Sequence, residues 1–166
     1  MNIVLHTAPI VGTLEPVTAT LHWPDEKATQ VWAAALATQP ALRDAVIELH
    51  GELGAGKTTL VRYLLHALGV QGRIKSPSYT VMEPHQVGGL NISHFDFYRF
   101  SDPREWEDAG FRDVFSAPGL KLIEWADNAR AALAVPDLAI HITANADNSR
   151  QVTCVANTTT GSSLIA

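Results

Sequence analysis

Apolar residues along this chain fall into short unbroken runs, set between segments with helical spacing. Ala45-Val46-Ile47-Glu48-Leu49 and Leu120-Lys121-Leu122-Ile123-Glu124-Trp125 read as buried strands. Thr59 to Leu68 has helical spacing and stops at Gly69. A second helix opens at Pro24-Asp25-Glu26, with acidic residues in its first turn where the helix dipole favours them. It carries Val31, Trp32, Ala35 and Leu36 at core spacing and ends near Pro40. Thr18–Trp23 predicts a short strand. Tyr79–Glu83 and Asn91–Asp96 predict two more, joined by a turn at Gly88-Gly89. Ser101-Asp102-Pro103-Arg104-Glu105 starts a further helix, and Ala139–Thr143 with Arg150–Val155 forms a final hairpin across Asn145–Asn148. Strands and helices alternate through the middle, which predicts an α/β fold: a largely parallel central sheet flanked by helices, ending in a β-hairpin. Residues 1–16 show no clear period and are expected to be a loosely ordered extension. Residues 17–160 form one domain in this reading, with 161–166 as a tail.

Composition narrows the partners. A chain of 166 residues with 46% hydrophobic content can bury a real core as one domain. Its formal net charge of −5 argues against a self-sufficient nucleic-acid binder, so any RNA connection is expected to be local or delivered by a partner. Cys154 is the only cysteine, which points to a thiol-reducing cytoplasm. Neither a signal peptide nor a membrane-spanning run is expected.

The chemistry lies in residues 51–58, Gly51-Glu52-Leu53-Gly54-Ala55-Gly56-Lys57-Thr58, a complete G-x-x-x-x-G-K-[ST] loop between a strand and a helix. Its glycines let successive backbone N–H groups curl around a polyphosphate, and the helix beyond adds its positive dipole end. Lys57 is expected to reach the outer phosphates and the Thr58 hydroxyl to coordinate Mg²⁺. The chain is therefore expected to bind a nucleoside triphosphate with Mg²⁺ in a P-loop NTPase-like fold, with ATP preferred because the guanine-reading Asn-Lys-x-Asp is absent.

Hydrolysis also needs an acidic group at the end of a neighbouring strand. Glu124 closes an apolar strand at the edge where open α/β sheets bind ligands. Asp96 ends another strand, within His94-Phe95-Asp96-Phe97-Tyr98-Arg99. The competing readings are a solvated strand-end charge for Glu124, and a partner of Arg99 or of a loop N–H for Asp96.

The P-loop with Thr59, Ser76-Pro77-Ser78-Tyr79-Thr80, the His94–Arg99 segment and Ile123-Glu124-Trp125 occur in that order. Together they resemble the TsaE (YjeE) family of small ATPases, over about Pro24 to Ile142. That resemblance implies a role in placing threonylcarbamoyl on N6 of the adenosine beside the anticodon, in tRNAs reading codons that begin with A. It implies TsaB and TsaD as partners, with TsaC making the donor, and a weak ATPase that supports multiple turnover of the transferase. It puts Thr58 and Glu124 on Mg²⁺, and Lys57, Asp96 and Glu124 in the catalytic set. The nucleotide would be held by Gly51, Leu53, Gly54, Ala55, Gly56, Lys57, Thr58 and Thr59, with Ser78 in a switch-like loop. Glu26 is implied near the base, Arg150 at the border of the nucleotide, and Trp125 as an aromatic tied to activity. Ser78 stands where the family usually has Thr, which keeps the hydroxyl and loses a β-branch.

No arginine is obviously placed over the γ-phosphate; Arg99 and Arg130 are candidates in cis, with surface charge pairing as their alternative. A small-molecule kinase is the rival function. It would need an arginine-bearing lid, and Arg130 alone lies between Arg112 and Arg150.

Overall fold

The computed structural model describes residues 15–166, so the extension expected over residues 1–16 lies outside them apart from Glu15 and Pro16. One seven-stranded sheet runs β1-β7-β6-β2-β5-β4-β3. Its strands are β1 (Val17–Trp23), β2 (Val46–His50), β3 (Met82–Val87), β4 (Leu90–Asp96), β5 (Leu120–Glu124), β6 (Leu138–Ala144) and β7 (Arg150–Ala156). The ladders joining β6, β2, β5 and β4 are parallel. Antiparallel pairs flank them, with β3 on β4 at one edge and β6–β7–β1 at the other. The mixed α/β fold with a parallel centre thus agrees with the sequence pattern.

Helices α1 (Glu26–Ala37) and α2 (Lys57–Leu68) cover one face. Leu36, Leu64 and Leu65 meet Ile47, Leu122 and Ile140 there in one buried cluster. The Asp25 side chain caps α1 by accepting the Ala28 amide at 2.9 Å. Across the sheet, α3 (Pro103–Asp108) and α4 (Phe111–Ser116) close an aromatic cluster around Phe95, Phe97, Trp106 and Phe111. The Phe95 and Phe111 rings meet edge-on, 5.3 Å between centroids. Burial of each such ring contributes about 1.5–3 kcal/mol, and it fixes the end of β4 that leads to Asp96.

Three expectations need correction. The strand expected over Tyr79–Glu83 starts instead at Met82. Residues 78–80 form a turn, and Val81 takes a left-handed backbone, φ 68°, that no strand continues through. Pro84 then sits inside β3, tolerated because β3 is an edge strand. A short helix, α4, follows Gly110, where no element was expected. Residues 161–166, expected as a tail, lie mostly in α5 (Thr159–Ile165). The Thr158 hydroxyl caps α5, Leu164 joins the core, and Gly161 packs so closely that a Cβ would sit 1.9 Å from the Asp137 carbonyl oxygen.

Candidate functional site

Parallel pairing sets the site. Leu49 pairs with Glu124, and Asp96 pairs with the same Glu124, so β2, β5 and β4 end on one rung. The P-loop leaves from β2 on that rung and both acidic candidates stand on it. At Gly51 an added Cβ would come within 2.5 Å of the Ile142 carbonyl oxygen, so only glycine lets the loop pass β6 this closely. The loop runs into α2, whose N-cap, Gly56, offers no side chain to its first-turn amides. Those donors are left for an external anion.

The Thr58 hydroxyl donates to Glu124 Oε1 at 2.8 Å. The Ser76 hydroxyl donates to Asp96 Oδ2 and lies 3.4 Å from Glu124 Oε2. His94 Nε2 contacts Glu124 Oε2 at 2.6 Å. The Tyr98 amide donates to Asp96 Oδ1 at 2.8 Å, so the loop N–H alternative for Asp96 is correct as far as it goes. Its other oxygen still faces the cleft with Ser76. Arg99 is not its partner, because the guanidinium stacks on the Tyr79 ring, 4.3 Å from the centroid.

Lys57 is buried and folded back on its own loop. It donates to the carbonyl oxygens of Gly51 and Glu52, the latter at 2.9 Å. Burial pulls its pKa below the ordinary lysine value, while Glu124, Asp96 and Glu52 push it back up. Trp125 follows Glu124 with a left-handed backbone, φ 57°, which costs about 1–3 kcal/mol in a non-glycine residue. That turn brings its indole over Lys57, 4.5 Å from Nζ to the ring centroid.

Two hollows flank α2's start. One, of about 370 Å³, is lined by Lys57, Thr58, Ser78, Asp96, Glu124 and Trp125. The other, of about 390 Å³, is bordered by Trp23, Glu26, Gly56, Thr59, Asn148 and Arg150. Arg150 lines both, and its Nε donates to the Ala55 carbonyl oxygen at 2.7 Å.

A family model described as "Threonylcarbamoyl adenosine biosynthesis protein TsaE" matches residues 23–152. The chain belongs to the TsaE family. The tRNA threonylcarbamoyladenosine biosynthesis protein TsaE of Haemophilus influenzae is 41% identical over 120 residues, covering 72% of this chain and 75% of that one. The protein of the same description from Bacillus subtilis is 36% identical over 111 residues, covering 67% and 69%. The crystal structure of Bacillus subtilis YdiB superposes with a TM-score of 0.74 at 26% identity, over 90% of this chain and 93% of that one.

Within this TsaE-family fold, the two hollows bring together Glu26, Leu53, Gly54, Ala55, Gly56, Lys57, Thr58, Thr59, Ser78, Asp96, Glu124, Trp125 and Arg150, while Gly51 lines a neighbouring hollow on the other side of the loop. Leu53 is exposed at the lip of the cleft, and Ser78 is half-buried in its wall. Glu26 borders the second hollow, but its carboxylate already accepts the Tyr63 hydroxyl at 2.6 Å. Arg130 does not reach the cleft: it pairs with Glu48 through two bonds of 2.9 and 2.8 Å. Arg99 and Arg150 are the arginines on its wall.

A Mg²⁺ ion fits this donor set. It prefers oxygen, and one or two carboxylates with phosphates and waters complete its shell. Thr58, Glu124 and Asp96 offer oxygens only, while the nearby His94 nitrogen is already turned onto Glu124. Among the described residues no three His, Cys, Asp or Glu side chains are grouped so that they could hold a metal ion by themselves. Ser76 and His94 sit inside the longer motifs, and their places at the two carboxylates come from the fold. The signal was available for His94: alternate strand positions share a face, so it lies on the side of β4 that carries Asp96.

Among the described residues, no helix is long and apolar enough to cross a membrane.

Proposed function

We propose that this chain is a weak Mg²⁺-dependent ATPase serving threonylcarbamoylation of tRNA at N6 of the adenosine beside the anticodon, acting with the TsaB–TsaD transferase. One observation carries the reading: the hydroxyl of a G-x-x-x-x-G-K-T loop rests 2.8 Å from a strand-end carboxylate, with a second carboxylate on the same rung. Family membership supports the biological setting.

In this reading the loop amides and Lys57 bind the outer phosphates, the lysine exchanging the Gly51 and Glu52 carbonyls for phosphate oxygens. Thr58 and Glu124 hold Mg²⁺, which neutralises the charge of the β- and γ-phosphates when bound. Asp96 orients the attacking water and accepts its proton. Trp125 keeps the Lys57 side chain near the cleft and excludes water from one side. Arg150 braces the loop from β7, and the Trp23–Glu26 side of α1 borders the base. An arginine aimed at the γ-phosphate is worth about 10³–10⁵ in rate. Arg99 and Arg150 are both committed elsewhere, which accounts for a low rate without a partner.

The test is ATP hydrolysis by the purified chain, alone and with TsaB–TsaD, together with counting of threonylcarbamoylated tRNA. The expected result is slow Mg²⁺-dependent hydrolysis alone, stimulation by the pair, and modified tRNA beyond one turnover only with the hydrolysing chain. No nucleotide binding, or tight tRNA binding at physiological salt without affinity for the pair, overturns the reading.

A further inference from the structure

We infer that His94 is a positioning residue for Glu124, a reading that rests on the proposed Mg²⁺ site. His94 is fully buried (0% exposed) at the middle of β4, facing the neighbouring strand β5. Its Nε2 contacts Glu124 Oε2 at 2.6 Å, whereas Nδ1 is buried with no hydrogen-bond partner among the described residues. A carboxylate oxygen can only accept, so the ring nitrogen 2.6 Å from it is the one that donates. The proton therefore sits on Nε2, and the ring donates to the carboxylate.

The contact settles how Glu124 is held. Its Oε1 takes the Thr58 hydroxyl at 2.8 Å, and its Oε2 takes His94, with Ser76 farther off at 3.4 Å. Two donors on opposite oxygens fix the plane of the carboxylate. Without His94 the Oε2 side would rely on the distant Ser76 hydroxyl, which already serves Asp96. Asp96 faces Glu124 across the ladder, so like-charge repulsion would then turn Glu124 away from Thr58. Partners that orient a metal-binding carboxylate typically matter by about 10–100-fold in metal affinity or activity.

The side chain that replaces the imidazole discriminates this role from plain packing. Glutamine sets an amide nitrogen near the Nε2 position, asparagine near the Nδ1 position, and leucine supplies bulk with no donor. Affinity for a fluorescent ADP analogue is measured with and without Mg²⁺, beside the Mg²⁺ dependence of ATP turnover and the melting temperature. For His94→Leu and His94→Asn, half-saturating Mg²⁺ is expected to rise about tenfold or more, with Mg²⁺-free nucleotide affinity unchanged. His94→Gln is expected to restore most of the Mg²⁺ dependence. Wild-type Mg²⁺ dependence in both His94→Asn and His94→Leu overturns the inference while leaving the proposed function intact. So does a fall in melting temperature with equal losses of affinity in both conditions, in all three variants. Should the wild-type chain show no Mg²⁺-dependent nucleotide binding, the proposed function fails and this inference with it. If His94→Leu does not fold, the asparagine and glutamine pair decides alone: equal behaviour overturns the inference.

Discussion

Glu48 and Glu124 are both buried carboxylates on adjacent parallel strands, each 2% exposed, yet their surroundings differ in kind. Glu48 carries its own cation: Arg130 binds both of its oxygens, and His50 Nε2 adds a contact at 2.9 Å. Burial raises the Glu48 pKa, but the bonds from His50 and Arg130 outweigh it and hold the carboxyl below its ordinary value. Glu124 has two hydroxyls and an imidazole around it, a second carboxylate opposite, and a lysine whose bonds are spent on backbone carbonyls. A carboxylate with its counter-charge built in is a structural element. One that has hydroxyls, an imidazole and a like charge around it suits the Mg²⁺ ion of the proposed function.

The largest expected effect comes from removing charge at the second site. Lys57→Ala and Glu124→Gln should each lower turnover on the order of 10²–10³-fold, comparable to losing one preorganised charge-stabilising group. Steady-state hydrolysis at saturating ATP and Mg²⁺ checks this, and wild-type rates in both would remove the contrast altogether. Asp96→Ala should retain ATP binding, measured by titration calorimetry, while losing most hydrolysis. Equal losses of both would make Asp96 a structural partner of the Tyr98 amide and nothing more.

A smaller effect sharpens the comparison by its sign. Glu124→Gln relieves the repulsion with Asp96 and should leave stability unchanged or raise it by about 1 kcal/mol, as substitutions at strained functional sites do. Glu48→Gln removes the buried partner of Arg130 and leaves it only the exposed Asp127 carboxylate at 3.3 Å. Breaking a fully buried pair costs about 3–5 kcal/mol; with Arg130 nearly half-exposed, about 2 kcal/mol is expected. That corresponds to a fall of about 4–8 °C in melting temperature, with Mg²⁺ dependence of turnover unaltered. Falls of equal size in both variants would contradict the distinction.

The smallest effect is in pH. Because the folded Glu48 pKa is depressed, its stabilisation is complete above the ordinary carboxylate value of 4.5 and disappears as pH falls through the folded value. Denaturant midpoints of wild type and Glu48→Gln should therefore converge below about pH 4.5. A gap that stays constant down to pH 3 would assign the effect to packing.

How much of this was legible in the sequence depended on how local each feature is. The P-loop, its strand and its helix are contiguous, and Glu124 and Asp96 follow from the rule that parallel strands deliver ligands at their carboxyl ends. The Glu48–Arg130 pair joins residues far apart in sequence, with nothing in either segment naming the other. β3 was misplaced because Tyr79-Thr80-Val81 has strand-forming side chains, while Val81 takes a backbone that side-chain preference does not favour. α5 was missed because Thr159-Thr160-Gly161-Ser162-Ser163 has poor helix propensity. Its stability comes from the Thr158 cap and from docking against Asp137 and Ala156.

The bond from Arg150 to the Ala55 carbonyl, with β7 lying between β1 and β6, bears on the order in which a newly made chain becomes competent. The loop leaves the ribosome well ahead of the strand that braces it, since 95 positions separate Ala55 from Arg150. β1, the first strand among the described residues, waits on an edge until Val17 can pair with Ala156. Such long-range pairings form slowly. A chain made only through α2 therefore carries the whole P-loop without the brace that shapes it, and the loop is held in full only once β7 is free to pair.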